Sequence, residues 1–298
     1  MPGFQYDKGY FPDDCGMKAD NISITIERDT CDRCRKCVQV CPAAILTQEK
    51  KKEAIRIEHT ENCILCGHCA DACPTGSLHH SAFPPERLHP IDYSRMPTPE
   101  QLMLLIKARR SNRALSSRPV PADKLGLILE AARYAPTASN RQQVSCTVIL
   151  DPEKLREIAG FTIGTFDAAA RKLENPIAKC LLKPFLKKAY QYLPTLTRLK
   201  EQHQAGKDLI LRKATCLILF HTPASASFGS EDANLAYQNA SLMAQSLGVS
   251  QIYMGYVMRA IGNDRKGSFS RLTGVDGKIR AIMALGMPLF RYPRYAER

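Results

Sequence analysis

The chain has 298 residues, of which 44% are hydrophobic and 12 are cysteine, and its formal net charge is +13. This length predicts about two domains, and the composition is that of a soluble globular protein. The longest compact apolar stretch, 216–220, is far shorter than the roughly 20 residues of a membrane-spanning helix. Residues 1–4 do not begin a signal peptide, because no basic start leads into an apolar run, so we expect a cytoplasmic location.

The charge is unevenly distributed along the chain. Residues 1–90 carry a net charge of −2, and residues 91–298 carry +15. A basic surface can attract nucleic acid, an anionic membrane or an acidic protein. No recognised nucleic-acid motif accompanies the positive charge, so we expect a solvated basic surface with an anion site and no nucleic-acid partner.

Two cysteine runs dominate the first third of the chain. The second run repeats the first at an offset of 32 residues, and each run ends in Cys-Pro. The runs have the spacing C-x-x-C-x-x-C-x-x-x-C-P and consist of Cys31, Cys34, Cys37 and Cys41, then Cys63, Cys66, Cys69 and Cys73. A strand is predicted before them at 22–26, and a hairpin between them pairs 44–46 with 55–57.

Soft thiolates select iron–sulfur clusters, zinc or copper. Zinc sites favour separated Cys-x-x-Cys pairs, and disulfides need an oxidising compartment, so this spacing favours iron–sulfur clusters. Residues 21–80 resemble the two-cluster bacterial ferredoxins, in which the fourth cysteine of each run ligates the other cluster. The resemblance implies two [4Fe–4S] clusters, one on Cys31, Cys34, Cys37 and Cys73 and one on Cys63, Cys66, Cys69 and Cys41.

Several residues near these runs receive simpler interpretations. Cys146 and Cys216 lie in strand-like segments and are expected to be buried thiols. His59, His68, His79 and His80 are interpreted as surface residues or neighbours of the ligands, because eight cysteines already satisfy two clusters. Residues 1–20 are predicted to form a covering loop, and Cys15 within it is a candidate redox or ligand residue.

A proline-rich stretch marks the domain boundary. We expect a ferredoxin domain at 1–82, a linker at 83–98 and a second domain at 99–298. A helix is predicted to begin there, with Thr98 as N-cap, Pro99 in the first turn and Gln101 completing a capping box. Its apolar face is predicted to consist of Leu102, Leu105 and Ile106.

Two polar motifs follow this helix. Arg109, Arg110, Ser111 and Arg113 form a cluster suited to an anion, because arginine binds phosphate through two hydrogen bonds. The sequence A-P-T-A-S-N-R-Q at 135–142 is a polar loop between a helix and a strand predicted at 144–150. Together the motifs resemble the FMN-dependent nitroreductase family over 99–298. The resemblance implies an α+β fold and a homodimer with FMN at the subunit interface.

Later segments fit the same family. A helix is predicted over 232–248 with a glycine cap, followed by strands at 251–256 and 279–285. By resemblance, FMN is bound through the following residues of one subunit: Arg109, Arg110, Ser111, Arg113, Met254, Gly255 and Arg294. The residues that reach the same flavin from the partner subunit are Pro136, Thr137, Ala138, Asn140 and Gln142. Arg291 competes with Arg294 for the phosphate.

Residues 151–213 are the least similar to the family, and the part at 171–213 is basic and amphipathic. We expect Pro184 and Pro194 to break this segment into short helices. It is interpreted as a dimer-interface helix or a lid over the flavin. A membrane-surface helix is the alternative.

The combination of motifs predicts an oxidoreductase. Clusters carry single electrons, and a flavin can take electrons singly and deliver a pair. We expect electrons to pass from a ferredoxin-like donor or NAD(P)H through the clusters to FMN, which reduces a nitroaromatic, a quinone or a similar small molecule without a catalytic side chain. The alternatives are a non-catalytic electron carrier, electron flow from NAD(P)H through FMN to the clusters, and a specialised reduction such as dehalogenation.

Overall fold

The computed structural model describes residues 22–297, apart from the side chains at positions 178 and 182. The loop predicted at 1–20, with Cys15, lies outside the described residues. The described chain divides into two compact units: the cysteine unit, residues 22–97 with 137–142, and the sheet unit, residues 98–136 with 143–297. Across residues 22–297, every helix is too short or too polar to cross a bilayer.

The cysteine unit is built from very short elements. They are β1 (Ile24–Ile26), α1 (Lys36–Val40), β2 (Leu46–Thr47), β3 (Arg56–Ile57), α2 (His68–Asp71) and β4 (Leu78–His80). Strand β1 pairs antiparallel with β4, and β2 pairs with β3 in the predicted hairpin. The small core combines aliphatic side chains with cysteines: Ile24, Ile45, Leu46, Leu78, Cys37 and Cys69.

The sequence repeat is also a structural repeat. Helices α1 and α2 begin 32 residues apart, and each follows a residue in the left-handed conformation, Arg35 (φ 69°) and Gly67 (φ 76°). This conformation costs free energy for every residue except glycine. A side chain at Gly67 would also lie 3.4 Å from the Phe83 ring. Each helix buries the third cysteine of its run, Cys37 or Cys69.

The sheet unit is an α+β fold, as predicted. Its four strands form an antiparallel sheet in the order β5-β6-β8-β7. The strands are β5 (Ser145–Ile149), β6 (Cys216–Thr222), β7 (Ser250–Tyr253) and β8 (Lys278–Gly286). The helices are α3 (Pro99–Ala108), α4 (Ala122–Arg133), α5 (Pro152–Glu174), α6 (Pro176–Leu182), α7 (Lys187–Gln204), α8 (Gly229–Ser246), α9 (Gly255–Asn263) and α10 (Ser268–Thr273).

Both faces of the central strands are buried. Along β6, Leu217 and Leu219 join one core, whereas Cys216, Ile218 and Phe220 join the other. The first core includes residues of α5 and α9, and the second includes residues of α4 and α8. A strand buried on both sides reads as an uninterrupted apolar run, which explains the segment 216–220.

Two predicted helix ends are confirmed. Thr98 Oγ1 accepts from the Gln101 N–H at 3.2 Å, and Gln101 Oε1 accepts from the Thr98 N–H at 2.9 Å. Gly248 follows α8 in the left-handed conformation, with φ 70°. Both devices satisfy backbone groups that a helix leaves without partners.

Two predictions about the sheet unit were wrong. Pro194 lies inside α7 instead of ending it. Strand β7 ends at Tyr253, and the chain turns into α9 at Gly255, so the predicted strand was too long.

Candidate functional site

Four cysteines from both runs meet in one pocket of the cysteine unit. Its walls include Ile26, Ile55 and Leu78, and the thiols are those of Cys31, Cys34, Cys37 and Cys73. Burial raises the pKa of the Cys37 thiol, and nearby Cys73, Cys31 and Cys34 raise it further. Cys73 belongs to the second run, so the fold brings it to the first three cysteines.

Cys73 itself has the most polar surroundings of this set. Burial acts to raise its pKa, but the Thr75 hydroxyl and the backbone N–H groups of Leu78, Thr75 and Ser77 lower it overall. Hydrogen bonds to a charged form favour that form. The pocket therefore favours a thiolate at Cys73, which is the form that binds iron.

The second set of cysteines is assembled in the reciprocal way. Burial raises the pKa of Cys69 to about 11, and nearby Cys63, Cys66 and Cys41 raise it further. Burial likewise raises the pKa of Cys63, whose thiol also faces Cys66 and Cys41. Cys41 comes from the first run, so each set combines three cysteines of one run with the last cysteine of the other.

Each set supplies four soft donors. In a four-iron cluster, each thiolate binds its own iron. Four soft donors around each of two centres fit this arrangement.

His80 differs from the three other histidines near the cysteines. It is 3% exposed, whereas His59, His68 and His79 are exposed. Its Nε2 lies 3.6 Å from Cys63 Sγ, and its Nδ1 accepts from the Ala82 N–H at 3.1 Å. Burial lowers the pKa of His80. From the sequence, all four histidines received the same interpretation. The fold distinguishes His80, because it is buried and contacts Cys63.

The polar loop of residues 137–142 packs within the cysteine unit. The Asn140 amide donates to Ile64 O at 3.1 Å and to Leu65 O at 2.8 Å, inside the segment between Cys63 and Cys66. Asn140 Oδ1 in turn accepts from Gln142 Nε2 at 3.4 Å. The flanking residues of this loop, Pro136 and Gln143, belong to the sheet unit. The loop that resembles a flavin-binding motif therefore belongs to the cysteine unit.

The backbone of this loop is strained. Ser139, Asn140 and Gln142 all have positive φ, between 49° and 52°. Non-glycine residues adopt this conformation at a cost of about 1–3 kcal/mol each, and such strain concentrates at functional sites. The Gln142 N–H bond to Thr137 Oγ1, at 3.0 Å, helps to hold the conformation.

The arginine cluster lines a pocket of the sheet unit with a volume of about 640 Å³. None of its lining residues is acidic, and they are Arg109, Arg110, Ser111, Arg113, Tyr292, Arg294, Tyr295 and Ala296. This volume falls within the range of ligand and cofactor pockets. Four guanidinium groups without a lining carboxylate fit a phosphate group.

Arg291 and Arg294 both line a cavity of about 590 Å³ that Arg110 also lines, but only Arg294 also lines the arginine pocket. Arg294 lines the pocket with Arg109 and Arg113. The Arg291 guanidinium lies beside the end of α8, where a side chain at Gly248 would be 3.1 Å from Arg291 Nη2. Arg291 does not line the arginine pocket. The geometry therefore favours Arg294 as the phosphate ligand.

Buried polar residues hold the arginine cluster in place. Asn112 donates through Nδ2 to Ser250 Oγ at 3.1 Å, and its Oδ1 accepts from the Ala114 N–H at 3.0 Å. Gln251 bonds to Arg110 O and pairs with Ser111 as a short parallel bridge. No role was predicted for Asn112 or Gln251 from the sequence. For Gln251, a polar amide next to the apolar residues of a predicted strand was the available signal.

Tyr237 connects this network to α8. Its hydroxyl donates to Gln251 Oε1. Burial raises the pKa of Tyr237, and the Arg109 guanidinium acts to lower it. The tyrosine therefore stays protonated and keeps Gln251 oriented beneath the arginine cluster.

Met254 and Gly255 lie where β7 ends and α9 begins. The Met254 side chain is buried in the core, and its N–H donates to Ile282 O at 3.0 Å. Gly255 is exposed, with open space where a side chain would stand. A ligand could therefore contact the backbone of this pair but not the Met254 side chain. The lack of a side chain at Gly255 leaves room for such a contact.

Comparisons with known proteins identify both parts of the chain. The nitroreductase family matches residues 106–287, and the 4Fe-4S dicluster domain matches residues 23–74. An uncharacterized ferredoxin of Methanocaldococcus jannaschii is 32% identical over 59 residues, which are 19% of this chain and 92% of that protein. The ferredoxin-like protein YdhY of Escherichia coli is 40% identical over 48 residues, and this chain spans only 23% of its length.

The sheet unit also has a structural relative. A nitroreductase with bound FMN from Bacteroides fragilis aligns with a TM-score of 0.51 at 22% identity, covering 66% of this chain and 94% of that chain. At this identity the likeness shows the fold alone. Since the family match spans more than half of the sequence, the chain belongs to the nitroreductase family, and it carries a 4Fe-4S dicluster domain ahead of the nitroreductase domain.

Proposed function

We propose that this protein is an iron–sulfur flavoprotein that passes electrons from an external donor through two [4Fe–4S] clusters to FMN, which reduces a small organic acceptor. The observation that carries the proposal is the double hydrogen bond from Asn140 to Ile64 O and Leu65 O. It joins the loop that resembles a flavin-binding motif to the segment that carries Cys63 and Cys66. A cofactor held by that loop would lie close to the second cluster.

The proposed cluster ligands follow the two sets of thiols. The first cluster takes Cys31, Cys34, Cys37 and Cys73, and the second takes Cys63, Cys66, Cys69 and Cys41. The shared pocket of the first set and the mutual influence of the thiols in both sets support this division. Because each cluster would bind both runs, cluster assembly would also lock the fold of the cysteine unit.

The proposed FMN site lies at the arginine pocket. Arg109, Arg110, Arg113 and Arg294 would neutralise the phosphate, and Ser111 would donate a further hydrogen bond. The exposed backbone at Gly255, after Met254, would approach the reactive edge of the ring. Bound FMN supplies the ability to accept electrons singly and to deliver a pair. The residues of this chain bind and orient it, and no side chain is assigned a proton-transfer role.

A homodimer is part of the proposal. Helix α3 leaves four apolar side chains 42–58% exposed: Leu102, Met103, Leu104 and Ile106. An exposed apolar patch of this kind marks an interface. In the dimer, Pro136, Thr137, Ala138, Asn140 and Gln142 of one subunit would reach the flavin bound by the arginine pocket of the other. The proposed domain limits are 1–82 and 99–298, and the proposed location is the cytoplasm.

The first prediction concerns the phosphate ligand. Arg294→Ala is expected to weaken FMN binding about tenfold or more, because a charge-assisted hydrogen bond to phosphate is worth about 1.5–3 kcal/mol. Arg291→Ala is the matched control and should change the Kd by less than about twofold. The measurement is a titration of flavin-depleted protein with FMN, followed by quenching of flavin fluorescence. Equal weakening by both variants would contradict the assignment.

The second prediction concerns Asn140. Asn140→Asp keeps the shape of the side chain but removes the donor and places a carboxylate against two carbonyl oxygens. We expect about tenfold faster loss of four of the roughly eight irons per chain to a chelator, since a lost hydrogen bond costs about 1–3 kcal/mol.

The control for this variant is Asn62→Asp, which makes the same amide-to-acid change at an exposed position directly before Cys63. It tests whether added negative charge alone labilises iron. If both variants release iron at the same rate, the Asn140 bonds do not stabilise the second cluster.

The third prediction tests the function. With reduced methyl viologen as donor, the wild-type protein is expected to reduce members of a panel of nitroaromatics, quinones and free flavins under anaerobic conditions. The double variant Cys63→Ser/Cys66→Ser, loaded with FMN, would lack the second cluster. Its turnover rate with this donor should therefore be about tenfold lower than that of the wild type, or lower still. No turnover with any acceptor would favour the carrier alternative. Bleaching of the clusters by NAD(P)H would favour the reversed direction.

A further inference from the structure

The sequence repeat gives each part of the first cysteine run a counterpart in the second. Position 80 in the second half corresponds to position 48 in the first, since the offset is 32 residues. Gln48 is buried, and its amide donates to Glu53 O at 2.7 Å and Arg33 O at 3.4 Å. His80 instead faces the sulfur of Cys63. The two halves therefore differ at a position next to the thiol sets.

The hydrogen bonds of His80 fix its tautomer. The Ala82 N–H donates to Nδ1 at 3.1 Å, so Nδ1 carries a lone pair and no proton. A neutral imidazole with an unprotonated Nδ1 has its proton on Nε2. That N–H points to Cys63 Sγ, 3.6 Å away, and donates to it.

The ring of His80 is held by its neighbours. The Phe83 ring packs edge-on against the His80 ring, with centroids 5.0 Å apart. The backbone N–H of Phe83 donates to His80 O at 2.8 Å. The Phe83 ring also lies over Gly67, between Cys66 and Cys69 in the chain. A buried and packed donor keeps its orientation, and a hydrogen bond is electrostatically stronger away from water.

We propose that His80 is a positioning residue for electron transfer, which raises the reduction potential of the second cluster by donating its Nε2–H to Cys63. With a cluster bound to Cys63, Cys66, Cys69 and Cys41, reduction by one electron from the external donor would make these thiolates more negative. A fixed donor stabilises this state more than the oxidised state, and hydrogen bonds to sulfur are among the determinants of cluster potential. This inference rests on the cluster assignment of the proposed function.

The first set has a different polar contact. Thr75 Oγ1 lies 3.7 Å from Cys73 Sγ but only 2.6 Å from Ser77 Oγ. Either hydroxyl can be the donor between Thr75 and Ser77, whereas the His80 Nε2–H faces Cys63 Sγ. The two clusters should therefore have separate potentials, and only the second should depend on residue 80.

The test is an anaerobic redox titration of the full-length protein, followed by electron paramagnetic resonance. In His80→Phe, which keeps a flat ring without a donor, one of the two cluster couples should shift to lower potential and the other should stay fixed. The expected shift is about tenfold in the ratio of reduced to oxidised cluster, equal to about 59 mV for one electron. His79→Gln, an exposed neighbour on β4, is the control and should leave both couples unchanged.

A second variant keeps the test decisive if His80→Phe does not assemble its clusters. His80→Leu has no polar hydrogen on its side chain, and it should shift the same couple in the same direction. Labelling with ¹⁵N-histidine adds a direct readout, because the hyperfine coupling between His80 and the reduced cluster should vanish in both variants. Unchanged potentials, or equal shifts of both couples, would overturn the inference while leaving the proposed function intact. A wild-type protein without cluster signals would overturn both.

Discussion

The structure of the cysteine unit depends on one exchange: the last cysteine of each run lies with the first three cysteines of the other. Cys73 joins Cys31, Cys34 and Cys37, and Cys41 joins the second set. The paired helices α1 and α2 and the two short strand pairs place these thiols. Cys37 and Cys69 are buried in the core of this unit beside aliphatic side chains. Bound clusters would add stability to this small core.

A second structural feature of the cysteine unit is a loop of six residues, 137–142. In the chain, this loop lies between two segments of the sheet unit, but it belongs to the cysteine unit. Their positive φ angles show that the backbone is held in a costly conformation. Asn140 binds two carbonyl groups of the cysteine segment with one amide, which satisfies polar groups next to Cys63 and Cys66. This loop, which resembles a flavin-binding motif, therefore contacts the segment that carries the second thiol set.

Much of this architecture could be predicted from the sequence, because it depends on local patterns. The cysteine spacing, the capping box at Thr98 and the apolar run of β6 each specify structure within a few residues. The errors arose where tertiary contacts decide. Pro194 is tolerated in α7, and the strand predicted over 251–256 ends at Tyr253. His80, Asn112 and Gln251 gain their roles from partners 17 to 141 residues away, and no local pattern encodes such contacts.

The central claim is that electrons held by the thiolate-bound clusters reach FMN within this protein. The most direct measurement is anaerobic stopped-flow mixing of the oxidised protein with a limiting amount of a reduced one-electron donor. The account predicts that cluster absorbance bleaches first and then recovers as the flavin absorbance falls. Clusters that stay bleached beside an oxidised flavin would contradict it.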